Sequence, residues 1–321
     1  MADLARAAGL AAGYAADRLL GDPRRWHPVA GFGAVAARLE RLLYADQRTR
    51  GVLHVAVLVG GAAALGGLAE RLAGGRPAAR AAVTALATWA VLGGRSLERE
   101  ALAVHGHVAE SDLPAARQRL THLVGRSTAA LSESEVARAV VESVAENTSD
   151  AVVAPLLLGA VGGVPGLLAY RAANTLDAMT GHHSARYERF GWAAARLDDL
   201  LNLPGARLAG LLTAACSPAT ARAALTAWRR GARGHPSPNA GVAEAAFAGA
   251  LGIRLGGTNT YGGRTEHRVV LGDGRAAAPA DIPRAVRLAR RVGAAAALVT
   301  GVLAAAMPSR RLPAGISRLL R

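Results

Sequence analysis

The chain has 321 residues, of which 51% are hydrophobic, 19% charged and only 4% aromatic. This composition excludes two ordinary soluble domains, whose surfaces carry roughly 25–35% charged residues, and it excludes long disorder, which is poor in apolar residues. All 38 cations are arginines and the net charge is +15, so a P-loop or Schiff-base lysine is ruled out, and the scattered arginines with few aromatics argue against a nucleic-acid partner.

Apolar windows free of Asp, Glu and Arg predict several membrane segments, because about 20 such residues cross the hydrocarbon core. We expect one all-α domain over 1–321, a polytopic integral membrane helix bundle with helical cytoplasmic loops and a small turn-rich insertion. The expected membrane segments lie near 4–20, 51–69, 80–94, 151–170, 207–221 and 292–308. A soluble helical loop is expected over 95–150, and a turn-rich loop with a short strand over 222–291.

The segment 151–170 has an unusual composition for a membrane helix. It contains Pro155, Pro165 and four glycines, which interrupt a helix. We expect a broken or re-entrant helix, and such breaks at membrane depth tend to line binding sites. An ordinary kinked helix is the alternative.

Carboxylates precede this segment at a spacing of four. Glu142, Glu146 and Asp150 therefore share one helix face, with Asn147 beside them. Like charges at this spacing repel, so arginines or a divalent cation should lie opposite, and hard oxygen ligands suit Mg²⁺. A solvated acidic face is the alternative.

A second polar group follows the broken segment. Arg171, Asn174 and Asp177 recur at a spacing of three, Gly181 ends the helix and His182 follows it. Arg171 and Asn174 suit an anion, whereas Asp177 suits a metal or the orientation of a histidine. A surface Arg–Asp pair would explain the same pattern.

Two further polar groups lie towards the carboxyl terminus. Asp198 and Asp199 come just before an apolar segment, where ionisable groups are functional by default. In the third loop, glycine-rich runs offer backbone N–H groups and polar side chains that suit phosphate, and they include Asn239, Thr258, Asn259 and Arg264. Turn formation explains these runs equally well.

Six runs together resemble the CobD/CbiB family of cobalamin-biosynthesis membrane proteins, in the family's order. They are LGDPRRWHPV (20–29), ESVAENTSDAVVAP (142–155), YRAANTLDAMTGH (170–182), RLDDLLNLP (196–204), PSPNAGVAE (236–244) and LGGTNTYGGR (255–264). The segment 280–321 matches only as a hydrophobic tail.

The resemblance implies an adenosylcobinamide-phosphate synthase in the cell (inner) membrane. Such an enzyme joins aminopropanol, or its O-phosphate, to the one free propionate of adenosylcobyric acid in an ATP-dependent amide ligation. ATP with Mg²⁺ is expected to activate the carboxylate, and the amine then attacks the acyl phosphate. The motif loops are expected on the cytoplasmic side, where ATP and corrinoid intermediates are found, and other cobalamin-pathway enzymes are potential partners.

This chemistry suggests roles for the polar residues. The carboxylates are expected to help deprotonate the amine and to hold Mg²⁺, with Glu146, Asp150 and Asp177 as metal ligands beside Glu142. His182 is a further catalytic candidate. The residues expected to bind substrate or phosphate are Asn147, Arg171, Asn174, Asn239, Thr258, Asn259 and Arg264.

A non-enzymatic membrane protein is the rival class, either a corrinoid carrier or a regulatory relative of the AmpE type. A carrier should show intramembrane charges and inverted repeats. The sequence shows neither clearly, and its polar motifs cluster in loops, which favours an enzyme.

Overall fold

The computed structural model describes residues 3–23, 27–182, 184–261 and 264–308. Most of this chain is α-helical, with the following bounds: α1 Leu4–Leu20, α2 Pro28–Leu43, α3 Arg48–Ala73, α4 Pro77–Val91, α5 Gly94–Ala109, α6 Leu113–Leu120, α7 Glu133–Thr148, α8 Ala154–Leu176, α9 Trp192–Ala215, α10 Ala221–Gly231, α11 Ala240–Leu251 and α12 Asp281–Ala306. The helical fraction is 77%, which confirms the predicted all-α class.

Among the described residues, three helical stretches are long and apolar enough to cross a membrane. They are α3, the stretch Glu133–Gly181, which is interrupted at Gly163, and α12. A helix pair bent by 103°, Trp192–Ala215 with Pro218–Gly231, would make a fourth span. The expected segments near 4–20 and 80–94 correspond to α1 and α4, which have 17 and 15 residues and are shorter than these spans.

Glycines allow α1 and α4 to pack at very short distance. A Cβ atom at Gly9 would lie 2.5 Å from the Cβ of Thr84, and one at Gly13 would lie 2.4 Å from the Cβ of Thr88. Larger residues would therefore push the helices apart. Small residues spaced four apart are the usual means of such close packing in membranes.

The chain reverses direction within α8. Gly163 adopts φ 68° and ψ −153° in the middle of the helix, a conformation that favours glycine. The two halves then pack against each other, because a Cβ at Gly166 would lie 2.4 Å from the carbonyl oxygen of Leu158. The segment is thus a helical hairpin with its tip at Gly163.

Charged side chains complete the hydrogen bonding of this tip. Arg6 Nη1 donates to the carbonyl oxygen of Ala160 (3.1 Å), and the N–H of Val164 donates to Glu70 Oε1 (2.9 Å). Backbone groups freed by a helix break need such partners in a membrane, where water is scarce.

The region 222–291 contains more regular structure than the turn-rich loop expected from its sequence. Every residue of α11 is buried, and three strands follow: β1 Ile253–Tyr261, β2 Arg264–Leu271 and β3 Arg275–Ala276. Strand β1 pairs antiparallel with β2 and parallel with β3. Alanine and glycine dominate α11, so its sequence carries little helical periodicity.

Candidate functional site

Two π-helical segments flank the hairpin, and each contains an aspartate. Helix α7 continues into Ser149–Val153, which contains Asp150, and α8 ends in Asp177–Gly181. Such segments often mark functional sites. The hydroxyl of Tyr170 lies 2.7 Å from the carbonyl oxygen of Asp150, so the reversal of the chain brings both segments to the same end of the hairpin.

Helix α9 adds a buried carboxylate to this end. Asp198 accepts hydrogen bonds from Asn174 Nδ2 (3.2 Å) and Asn202 Nδ2 (2.9 Å). The single phenol proton of Tyr170 is shared between Asp150 and the Asn202 Oδ1, which is 2.6 Å away. This network fixes α9 against both halves of the hairpin.

The Asp150 side chain sits in a strongly acidic environment. Its charge interacts with those of Glu146, Asp198 and Asp177. Asp150 Oδ1 and the neighbouring Ser149 Oγ are both buried, and the Ser149 hydroxyl interacts with the Asp150 carboxylate. Like charges brought together by burial repel one another, so this arrangement favours a bound cation.

A polar cavity of about 240 Å³ lies next to this cluster. Its charged lining consists of Arg126, Glu142, Glu146, Glu244 and Arg268. Three carboxylates and two guanidinium groups thus line one open cavity. Such a cavity suits a ligand that carries both signs of charge.

Glu146 connects the cavity with the aspartates. It lines the cavity, and it interacts electrostatically with Glu142, Arg268 and Asp198. Glu244 interacts in turn with Glu142 and Glu146. We call this series the acidic track: Glu244, Glu142, Glu146, Asp150, Asp198 and Asp177.

Glu142 connects strand β1 to the lining of the polar cavity. It accepts a hydrogen bond from Arg126 Nη2 (2.6 Å) and another from the N–H of Gly256 (2.8 Å). Arg138 donates to the carbonyl oxygens of Gly256 and Thr258. Both carboxylate oxygens of Glu142 thus accept hydrogen bonds within the protein, and these contacts are structural.

The structure brings five of the predicted residues together. Glu142, Glu146, Asp150 and Asp177 lie on the acidic track. Asn174 bonds to it through Asp198, whereas Asn147, one residue after Glu146, donates to the carbonyl oxygen of Ser143 (2.9 Å).

Other predicted residues lie elsewhere. Asn239 is buried, and its amide group contacts Arg207 (2.7 Å) and the carbonyl oxygen of Asp199 (2.8 Å), so it fastens a loop to α9. His182 is exposed and packs edge-on against Tyr187, with 5.1 Å between ring centroids.

Four more predicted binding residues lie outside the polar cavity or have side chains outside the described residues. Thr258 is exposed, and its hydroxyl contacts His267 Nδ1 (3.1 Å). Arg171 lines a separate apolar groove. The side chains of Asn259 and Arg264 lie outside the described residues.

Sequence reasoning missed Arg126, Arg268, Glu244 and Tyr170. Glu244 is the one charged residue of the otherwise apolar α11, and this was a usable signal. The two arginines come from segments 142 residues apart in sequence number (268 minus 126), and nothing in their local patterns indicates that they meet.

The acidic residues can be tested against the Mg²⁺ site expected from the sequence. No group of three or more His, Cys, Asp or Glu residues in the described part of the chain could hold a metal ion. However, Mg²⁺ commonly binds through one or two carboxylates together with substrate phosphates. An ion at Asp150 would therefore need further oxygen ligands from a phosphorylated substrate.

The chain is similar to known proteins over almost its whole length. The model of the family described as "CobD/Cbib protein" matches residues 10–289. A relative named Cobalamin biosynthesis protein CobD, from Mycobacterium tuberculosis, is 50% identical over 311 residues, which cover 96% of this chain and 97% of the relative. Relatives of the same name are 48% identical in Geobacter metallireducens (80% of this chain, 83% of the relative) and 45% identical in Rhodobacter capsulatus (87% and 89%).

No solved structure matches the chain. The family match spans more than half of the chain, and the relatives are aligned over 80–96% of it. The chain therefore belongs to the CobD/CbiB family.

Proposed function

We propose that this protein acts in cobalamin biosynthesis as an adenosylcobinamide-phosphate synthase. It would join the amine of aminopropanol O-phosphate to the free propionate of adenosylcobyric acid. The names of the relatives support the pathway. The observation that carries the proposed reaction is the polar cavity, in which carboxylates and guanidinium groups face each other beside the acidic track.

The size of the cavity limits which parts of the substrates can enter it. A volume of about 240 Å³ is smaller than the roughly 300–1,000 Å³ typical of pockets for drug-sized ligands. A whole corrinoid would not fit. The small amine would occupy the cavity, and the propionate would reach in from a macrocycle held at its mouth.

The charges of the cavity favour the phosphorylated amine. Glu146 and Glu244 would attract its ammonium group, whereas Arg126 and Arg268 would attract its phosphate, since guanidinium groups bind phosphate oxygens well. Free aminopropanol carries only the positive charge. It would lack the anionic group that Arg126 and Arg268 attract.

Amide formation from a carboxylate is unfavourable in water, so the propionate needs activation. Transfer of the γ-phosphoryl group of ATP gives an acyl phosphate. The amine nitrogen then attacks the carbonyl carbon, the bond to the phosphate oxygen breaks, and inorganic phosphate leaves. We assign to Glu146 the removal of the proton that the attacking amine loses.

Asp150 and Asp177 are the residues that would hold Mg²⁺ brought by the nucleotide. The ion would neutralise phosphate charge during transfer. Asp198 would keep both aspartates in place through Asn174, Asn202 and Tyr170.

Conservative variants test this proposal. We expect Glu146→Gln, Asp150→Asn and Asp177→Asn to lower the rate of amide formation by about 10²-fold or more, the usual effect of losing an acid–base or electrostatic group. The assay is ATP- and Mg²⁺-dependent conversion of adenosylcobyric acid by purified protein in lipid vesicles. Asp273→Asn, at an exposed site, is the control.

Near-normal turnover in all three variants would remove these roles. Uptake of corrinoid into vesicles without a new amide would favour a carrier instead. A further comparison concerns the amine, since Arg268→Gln should weaken the preference for the O-phosphate over free aminopropanol.

A further inference from the structure

A second cavity lies on the other side of the hairpin, between α2, α3 and the returning half of α8. Its volume is about 440 Å³. Apart from Arg171 and Thr175, its lining residues are apolar or glycine, for example Phe32, Leu58 and Leu168. It therefore has a different chemistry from the polar cavity, and we call it the apolar groove.

The groove opens towards the surface that a bilayer would cover. In the most apolar window of α3, only 22% is buried inside the protein. Three side chains that line the groove remain largely exposed: Val35 (58%), Val57 (50%) and Leu65 (61%). A long apolar chain from the surrounding lipid can thus reach the groove from the side.

Arg171 is the one charged residue that lines the groove in the described part of the chain. Its Nη1 is 3.4 Å from Asn174 Oδ1, and its Nε is buried without a hydrogen-bond partner. Because Arg171 directly follows Tyr170, it lies near the end of the hairpin that carries Asp150 and Asp177, away from the tip at Gly163. Asp22 and Asp150 interact with this guanidinium group at a distance, but a buried N–H donor without a hydrogen-bond partner still favours an anion beside it.

We propose that the apolar groove binds one anionic phospholipid, with an acyl chain along α3 and α8 and its phosphate on Arg171. The apolar lining accounts for the acyl chain, and the single guanidinium accounts for the negative headgroup. A zwitterionic lipid carries its own cation beside the phosphate, so it complements this arginine less well. A free anion would leave the apolar walls unfilled.

Two neighbouring glycines of α3 allow a matched test. A Cβ at either Gly60 or Gly61 would meet nothing within 4 Å, but only Gly61 is among the lining residues. Gly61→Phe should fill the groove, whereas Gly60→Phe places the same side chain on the outer surface. Equal thermal unfolding midpoints of the two variants would show that both are folded.

The measurement is native mass spectrometry of the delipidated full-length protein, titrated with phosphatidylglycerol or phosphatidylcholine. We expect the unaltered protein and Gly60→Phe to retain one phosphatidylglycerol, and Gly61→Phe to bind it about tenfold or more weakly, a change of about 1.4 kcal/mol. Arg171→Gln should bind the two lipids equally.

Other outcomes would overturn the proposal. One is equal phosphatidylglycerol binding by Gly60→Phe and Gly61→Phe. Another is displacement of the lipid by inorganic phosphate alone, which would indicate an anion site. Displacement by adenosylcobyric acid would assign the groove to the substrate instead.

Discussion

The hydroxyl of Tyr170 lies 2.7 Å from the backbone carbonyl oxygen of Asp150, although 20 residues separate them. In a straight α-helix these residues would be about 30 Å apart. The contact therefore shows that the chain reverses direction at Gly163. It also links the two ends of the hairpin, which carry Asp150 and Asp177.

Tyr170→Phe should destabilise the protein and slow amide formation. The change leaves two acceptors short of a donor, the Asp150 carbonyl and Asn202 Oδ1, and an unsatisfied buried group costs about 1–3 kcal/mol. Thermal unfolding in detergent measures the loss of stability. Tyr44→Phe, which removes an exposed hydrogen bond to Arg186, is the control, and an equal loss in both variants would contradict the expectation.

Gly163→Ala should destabilise the hairpin strongly. An alanine there must adopt a φ/ψ combination that is essentially restricted to glycine, which costs about 1–3 kcal/mol, and its Cβ would lie 2.3 Å from Glu70 Oε1. Gly162→Ala is a matched control because its Cβ would meet nothing within 4 Å. The unfolding midpoints should separate the two variants, and similar midpoints would argue against the tip as described.

Glu142→Ala should loosen the base of the β1–β2 hairpin. It removes the acceptor for the Gly256 N–H and the carboxylate that pairs with the buried Arg126, and breaking a buried ion pair costs about 3–5 kcal/mol. Hydrogen exchange of the Gly256 amide should accelerate. The exposed Glu110→Ala should leave that amide unchanged, and continued protection in Glu142→Ala would show that another contact holds the strand.

Stability should fall in acid partly because of His235. Burial lowers the pKa of this imidazole, and Arg268 lowers it further, while hydrogen bonding to the Ser237 backbone and the charge of Glu142 oppose the shift. Below about pH 6.5 the unfolded chain gains a proton that the folded chain resists, so the free energy of unfolding decreases as the pH falls.

Removal of the imidazole tests this pH dependence. His235→Gln should flatten the decline of the free energy of unfolding between about pH 7 and pH 5, where a free histidine titrates. His267→Gln changes an exposed histidine of β2 and should keep the original slope. Equal slopes in the two variants would show that His235 does not carry the acid sensitivity.

The sequence alone determined the helical membrane class, the family and most of the acidic track. Helix composition follows directly from apolar windows, and Glu142, Glu146 and Asp150 are found by local spacing because a helix repeats every 3.6 residues. The interruption of 151–170 was also visible from its prolines and glycines.

Only the tertiary structure decided which polar groups meet. Arg126, Arg268 and Glu244 converge on the cavity from segments that are distant along the chain, and no local pattern encodes such long-range contacts. Arg171 illustrates the same limit, since its spacing from Asp177 predicts a shared helix face but not the apolar groove that packing of α2 and α3 places beside it. Side-chain chemistry is local in the sequence, whereas the shape of a cavity depends on how separate helices pack.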